Sequence, residues 1–338
     1  MAVEIGGQIA VVGGGSWGTA FATMLAERHG DVSLWVREPD VCATILSDRE
    51  NRVFLPGVKV PEGVRPTTDL ARSLAGRGIV VLAVPSQYLR DVAGRCGPHI
   101  ASGAAVVSLV KGLEIGTLLR MTEVLSQVLP ASRDRLAVLS GPTFAGEVAL
   151  GMPAGATVAS EDPTVAATLQ AAFSGKRFRV YAGTDVTGIE IGGALKNVMA
   201  IAAGMSDGLG FGHNARALLI SRGLAEISRL GGCLGADPQT FYGLSGLGDL
   251  VLTCTGDLSR NRTVGVRIGK GERIADILAG MQMVAEGVMT ANAAVDLSRR
   301  TGVAMPISEQ VHLILQEGKD VRAAVTELLS RALRKEKD

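Results

Sequence analysis

The sequence predicts a doubly wound α/β fold for its first half and an all-α fold for its second. Three observations predict this. Short β-branched runs alternate with helical patterns up to about residue 188, a glycine-rich turn lies between the first run and the first helix, and beyond residue 188 only helical periodicity continues.

"QIAVV" (8–12) reads as a buried strand, and "WGTAFATMLAERHG" follows as a helix ending at Gly30. "DVSLWV" (31–36), "GIVVLAV" (78–84), "AAVVSLV" (104–110) and "LAVLS" (136–140) are further strands. Each ends in a polar or Gly/Pro-rich turn, as in a parallel sheet with helices on both faces. Two more strands, near 155–159 and 178–182, extend the sheet. Helical patterns then cover 189–205, 214–231, 262–270, 274–281, 288–300, 307–316 and 320–334, punctuated by "GADPQT" (235–240) and "GLSGLGDL" (243–250). The domain boundary is expected near Gly188, with residues 1–188 forming a doubly wound α/β domain and 189–338 an all-helical one.

The chain of 338 residues is long enough for two cores, and 47% apolar with 20% charged residues is the balance of a globular protein. A net charge of +1 gives no general attraction to nucleic acid or anionic membrane, and 4% aromatics leave little for base stacking. Cys42, Cys96, Cys233 and Cys254 lie far apart without CxxC or Cys/His spacing, so neither a metal site nor a disulfide framework is expected. A reducing cytoplasm fits this usage. No secretory signal and no bilayer-spanning stretch is expected. An apolar helical domain would support a homodimer, although no face is specified.

The glycine-rich turn is "VVGGGSWGTA", a G-x-G-x-x-G at Gly13, Gly15 and Gly18. Following a strand and opening a helix, it reads as the dinucleotide-binding turn of a Rossmann-type domain. Gly13 allows the tight turn, Gly15 the approach of a pyrophosphate, and Gly18 close packing of helix on strand. The amides of Ser16 and Trp17 would face the phosphates. The second strand ends in "LWVREP", with Arg37 where an acidic residue for the adenosine ribose is usual and Glu38 beside it. A guanidinium suits a 2′-phosphate and Glu38 can still accept a ribose hydroxyl, so NADP (NADPH), or both it and NAD (NADH), is favoured over NAD alone. A solvated strand-end arginine is the competing reading.

Lys196 is the single charge between Glu190 and Asp207, in "GGALKNVMAIAAGMSDG". Pattern alone leaves two readings level: a stem that carries its ammonium to water along an apolar seam, or a charge that the chemistry needs. Lys111 directly follows a strand in "SLVKGLE", and "SGPTFAGE" follows the next one, which places both at the carboxyl ends where open α/β sheets bind ligands. His29, His99, His213 and His312 are scattered, and none pairs with a carboxylate in a recognisable catalytic motif.

"SGPTFA", "ALKNV", "GLGDLVLTC" and "SRN", in that order, resemble the bacterial NAD(P)-dependent glycerol-3-phosphate dehydrogenases, and the resemblance covers nearly the whole chain. It implies reversible reduction of dihydroxyacetone phosphate to sn-glycerol 3-phosphate, the backbone precursor of phospholipids. Carried onto this chain, Ser16, Trp17, Arg37, Lys111 and Ala145 match cofactor contacts, as do Arg260, and Val284 and Glu286 in "MVAEG". Lys111, Gly141, Thr143, Lys196, Asp249, Ser259, Arg260 and Asn261 match substrate contacts, and Lys196 matches the catalytic lysine.

The residue chemistry agrees. Hydride transfer to a ketone builds negative charge on its oxygen, and a nearby ammonium both stabilises that charge and supplies the proton. Burial lowers a lysine's pKa toward the working range. Asp249 also reads as a helix N-cap, and Ser259 or Asn261 as ordinary caps of a helix entered near Arg262. Amides at that helix start, with Arg260, would make a phosphate site. Two alternatives stand beside this reading: a related lysine-dependent reductase acting on another small carbonyl compound, and a cofactor-binding sensor without catalysis.

Overall fold

The computed structural model describes residues 8–281, 285–333, 335 and 336. Its strands are β1 (Ile9–Val12), β2 (Val32–Trp35), β3 (Glu50–Asn51), β4 (Leu55–Lys59), β5 (Val64–Thr67), β6 (Ile79–Leu82), β7 (Ala105–Ser108), β8 (Leu136–Ser140), β9 (Ala154–Ala159) and β10 (Phe178–Gly183). Eight form one sheet in the order β10-β9-β8-β7-β6-β1-β2-β5, while β3 and β4 pair as a separate antiparallel ribbon.

Alternation sorts the sheet's side chains into two cores. Ile9, Val11, Leu34, Val81, Val107 and Leu139 face one cluster, under helices α1 (Ser16–His29) and α2 (Pro39–Asp48). Ala10, Val12, Trp35, Val80, Leu82 and Val106 face the other, under α3 (Leu70–Leu74), α4 (Leu89–Cys96) and α5 (Met121–Val128). Both faces are covered, which is why these strands read as unbroken apolar runs.

The parallel sheet expected from the strand–helix alternation is present, with one reversal near its edge. From β5 to β8 every pairing is parallel, but β9 runs antiparallel to β8, with Val138 opposite Ala159 and Ser140 opposite Thr157. The connection holds only the short helix α6 (Ala145–Ala149), which packs beside α1, so the chain turns back instead of crossing a face. Helix α7 (Pro163–Phe173) then returns it to β10, parallel to β9. Strand β5 and the β3–β4 ribbon escaped the sequence reading. β5 is "VRPT", an edge strand whose Arg65 and Pro66 break any apolar run.

The second half is helical: α8 (Val186–Gly208), α9 (His213–Cys233), α10 (Asp249–Thr255), α11 (Arg260–Gly269), α12 (Ile274–Ala279), α13 (Glu286–Thr301), α14 (Pro306–Glu317) and α15 (Val321–Leu329). Helix α15 stops at Leu329, short of the expected residue 334, and α11 begins at Arg260 with Ser259 as its cap, two residues before the expected start. The punctuation at 243–250 is itself helical, one π turn over Leu244–Gly248 that runs straight into α10. Such turns concentrate at functional sites.

Helix α8 is the axis. By length and composition it could cross a membrane, contrary to the expectation that no stretch could, but 94% of its most apolar window is buried inside the fold. Asp185 caps it, accepting the Gly188 amide at 2.8 Å. Glu190 ties it to the sheet domain, since its carboxylate accepts from the Thr122 amide and hydroxyl, each at 2.7 Å, and from Arg120 at 2.9 Å. Against α11 the helix is in backbone contact. A Cβ on Gly204 would lie 2.1 Å from the Arg262 carbonyl oxygen, and one on Gly265 2.1 Å from that of Ile201. Gly208 and Gly269 repeat the pattern a turn further on.

Candidate active site

The glycine turn has the geometry that its sequence predicts. Gly13 has φ +126°, and a Cβ there would come within 2.3 Å of the Ala83 carbonyl oxygen. A Cβ on Gly18 would lie 1.9 Å from the Gly13 carbonyl oxygen, so only glycine lets α1 pack this closely on β1. Gly15, by contrast, faces open space. No side chain caps α1 and no acidic residue occupies its first turn, so its amide end presents a positive dipole to an anion such as a pyrophosphate. The Trp17 ring packs on Phe21 and near Ala145, and its Nε1 is buried without a partner among the described residues. Ser16 fixes the turn from its side chain, donating to the Phe54 carbonyl at 2.5 Å. These features fit a bound dinucleotide.

Arg37 lies at the end of β2, exposed, with its guanidinium forked onto Glu38 at 2.6 and 2.9 Å. Arg37, expected toward a 2′-phosphate, and Glu38, expected toward a ribose hydroxyl, are thus held as a pair.

At the carboxyl ends of β7 and β8 the lysines meet. Lys196 Nζ donates to Asp249 Oδ1 at 2.5 Å and to Thr253 Oγ1 at 2.9 Å. Lys111 Nζ donates to the other oxygen, Asp249 Oδ2, at 2.8 Å and to the Gly141 carbonyl at 3.1 Å. Thr143 Oγ1 donates to the same Gly141 carbonyl at 3.2 Å. Gly141 must be small, since a Cβ would fall 2.7 Å from Ala156 Cα. Glycines on α8 bring Lys196 in: a Cβ on Gly192 would meet the Ser245 carbonyl oxygen at 2.8 Å, and one on Gly193 the Ser140 hydroxyl at 2.9 Å. The apolar, small-residue character of this helix is therefore a packing requirement, and Lys196 does not reach bulk water along its stem; it is 6% exposed.

Burial lowers the Lys196 pKa to about 8, with Asp249 opposing that fall and Lys111 adding to it. For Asp249 burial acts upward, but the two ammoniums outweigh it and hold the carboxyl below its usual range. Asp249 is the first residue of α10, yet its carboxylate is taken by the lysines, so the capping alternative fails.

The "SRN" segment starts α11. Ser259 Oγ accepts the Arg262 amide at 3.2 Å as the cap, while Asn261 is drawn inward to accept the Gly287 amide at 3.0 Å. Arg260 is exposed there, and its charge interacts with the half-buried Glu286. Glu286 accepts the Ser86 amide at 3.0 Å, joining α13 to the turn after β6. Burial pushes its pKa up to about 7, against the Ser86 amide, Arg260 and both lysines. Val284 lies outside the described residues.

Two contributors escaped the sequence reading. Asn51, fully buried in β3, donates to the Gly14 carbonyl and to Thr19 Oγ1, each at 2.8 Å, and so braces the glycine turn. Nothing in "SDRENRVF" signals it. Thr253 does carry a signal: it stands four residues after Asp249, on the same helix face, once α10 is recognised as a helix.

Residues 8–166 match the model of the NAD-dependent glycerol-3-phosphate dehydrogenase N-terminus and residues 185–326 that of the C-terminus. The chain belongs to the NAD-dependent glycerol-3-phosphate dehydrogenase family. A glycerol-3-phosphate dehydrogenase [NAD(P)+] of Geobacter sulfurreducens is 52% identical over 98% of this chain and 99% of its own, and one of Koribacter versatilis is 53% identical over 96% and 97%. Among solved structures, glycerol-3-phosphate dehydrogenase from Coxiella burnetii superposes with a TM-score of 0.91 at 39% identity, covering 96% of this chain and 99% of that one. Membership in the glycerol-3-phosphate dehydrogenases makes the chain an NAD(P)-dependent oxidoreductase, and its two-part architecture is the family's.

Proposed function

We infer that the chain catalyses the reversible NAD(P)H-dependent reduction of dihydroxyacetone phosphate to sn-glycerol 3-phosphate, with Lys196 as the general acid and base. The observation that carries the lysine's role is the buried chain Lys196–Asp249–Lys111, set at the carboxyl ends of the strands. In this reading residues 1–188 hold the cofactor and residues 189–338 bring the proton and the phosphate contacts.

When bound, NAD(P)H supplies the hydride. The glycine turn and the amide end of α1 hold its phosphates, with Ser16, Trp17, Arg37, Lys111, Ala145, Arg260, Val284 and Glu286 as further contacts. Gly141, Thr143, Ser259, Arg260 and Asn261, with the lysines and Asp249, receive the substrate. Lys196 Nζ gives its proton to the oxygen that gains charge and recovers it in the oxidative direction. A pKa of about 8 suits both directions near neutrality, since neither form is far out of reach. Asp249 fixes both ammoniums, and Lys111 makes loss of the Lys196 proton easier.

The test is turnover of dihydroxyacetone phosphate with NADPH or NADH by the intact chain and by Lys196→Met. Normal turnover in the variant would remove the lysine from the mechanism. The reading also includes a cytoplasmic location and a homodimer, the latter tested by light scattering.

A further inference from the structure

Away from the lysines, helices α8, α9, α14 and α15 and the segment that follows α15 line a pocket of about 510 Å³ that opens to solvent on one side. Its walls are hydrocarbon: Ala202 and Met205 of α8, Leu219 of α9, Ile314 of α14, and Val325 and Leu328 of α15. The volume lies within the roughly 300–1,000 Å³ of small-molecule sites.

Two further observations give this space a chemistry. Ser206 Oγ and Gln310 Oε1 both belong to residues lining it, 4% and 5% exposed, and neither atom has a hydrogen-bond partner among the described residues. Buried polar atoms are rarely left so, because each forfeits its hydration. The solvent side is cationic. Arg222, Arg229, Arg331 and Lys335 line it against Glu226 and Glu336. The Glu226 carboxylate is engaged inside, accepting the amides of Ile307 and Ser308 at the start of α14, and the Glu336 backbone carbonyl accepts from Arg222.

We propose that this cavity binds a single-chain anionic amphiphile, with its hydrocarbon chain between α8 and α15 and its head group against Arg222 and Arg331. Apolar walls take the chain by the hydrophobic effect, and guanidinium groups take a carboxylate or phosphate. Ser206 can donate to an oxygen of the ligand, and Gln310 Oε1 can accept from a hydroxyl where the chain carries one. A bare alkyl chain would leave both atoms unpaired, and a compact anion would leave the walls empty.

The test is calorimetric titration of the intact protein with octanoate, decanoate, dodecanoate and decyl phosphate, all as monomers. Saturable binding is expected, tightening by about four-fold per added methylene, the ~0.8 kcal/mol of burying one. Decyltrimethylammonium, with the opposite charge, should bind roughly ten-fold more weakly or worse. Val325→Trp fills the cavity and should abolish binding while turnover persists, and Arg222→Glu should weaken the anions alone. Chain-length-independent binding, equal binding of the cationic amphiphile, or binding indifferent to both substitutions overturns the proposal. So does binding to anionic vesicles only. A dimer that Leu218→Glu dissociates, and whose dissociation first opens the cavity, would show that a second copy is the occupant.

Discussion

Lys111 and Lys196 hold opposite oxygens of one buried carboxylate, at 2.8 and 2.5 Å from Asp249. One lysine comes from the end of a strand in the first half and the other from the central helix of the second. A single anion between two cations leaves a net positive charge facing the place where a ketone oxygen would become negative.

Replacing Lys196 with Met keeps an apolar stem of similar bulk and removes the charge and the proton. The expected result is a fall in kcat of at least ~10²–10⁴, the usual contribution of a general acid or base. Fluorescence titration should find NADPH affinity nearly unchanged, because in the proposed site the phosphates bind at the glycine turn, away from Lys196.

The pH dependence follows from the lysine's lowered pKa, about 8. Reduction needs the protonated ammonium, so its kcat should be level below that pH and fall above it. Oxidation needs the neutral amine, so its kcat should rise through the same pH. Asp249→Asn removes the charge that opposes the lowering, and both limbs should then move to lower pH. Profiles that stay in place would detach them from Lys196.

Arg37→Ala should raise the KM for NADPH far more than that for NADH, since a guanidinium favours a 2′-phosphate through charge-assisted hydrogen bonds. The Glu38 fork engages Nε and Nη2, so a 2′-phosphate would take the remaining guanidinium donors or displace Glu38. Equal effects on both cofactors would reassign Arg37 to the fold.

Arg260→Ala should cost on the order of 1.5–3 kcal/mol in kcat/KM for dihydroxyacetone phosphate, the range for losing a hydrogen bond to a charged group. Dihydroxyacetone lacks the phosphate, so the unmodified enzyme should use it poorly and the variant hardly less well. A large further loss with the phosphate-free ketone would show that Arg260 acts mainly on the cofactor or the fold.

Gly265→Val should destabilise the fold by at least ~1–3 kcal/mol in urea unfolding, the cost of overpacking. Its Cβ would lie 2.1 Å from a backbone oxygen of α8, and backbone cannot swing aside as a side chain can.

Much of this was legible in the residues. The parallel core strands read as apolar runs because both of their faces are buried, and Gly13, Gly15 and Gly18 read as a phosphate turn because each glycine has a distinct steric task. Lys196 is conspicuous as a lone charge, but pattern alone leaves a chemical role level with a snorkelling one, because Asp249 and Thr253, which hold its nitrogen, lie 53 and 57 positions away. Other features depended on contacts distant in sequence. Asn51 meets Gly14 across 37 positions, and Glu286 meets Ser86 across 200. No local pattern records such pairings. The reversal of β9 was hidden for a different reason: strand runs carry no sign of direction.

Because the backbones of α8 and α11 touch at Gly204 and Gly265, the helix bearing Lys196 and the helix that starts at Arg260 cannot loosen separately. Glu190 of α8 in turn fastens this unit to α5 of the first half. Warming should therefore find no early stage in which the site is scrambled and the fold intact. Loss of turnover and loss of helical signal should fall on one curve, in contrast to enzymes whose sites are built on segments that open locally.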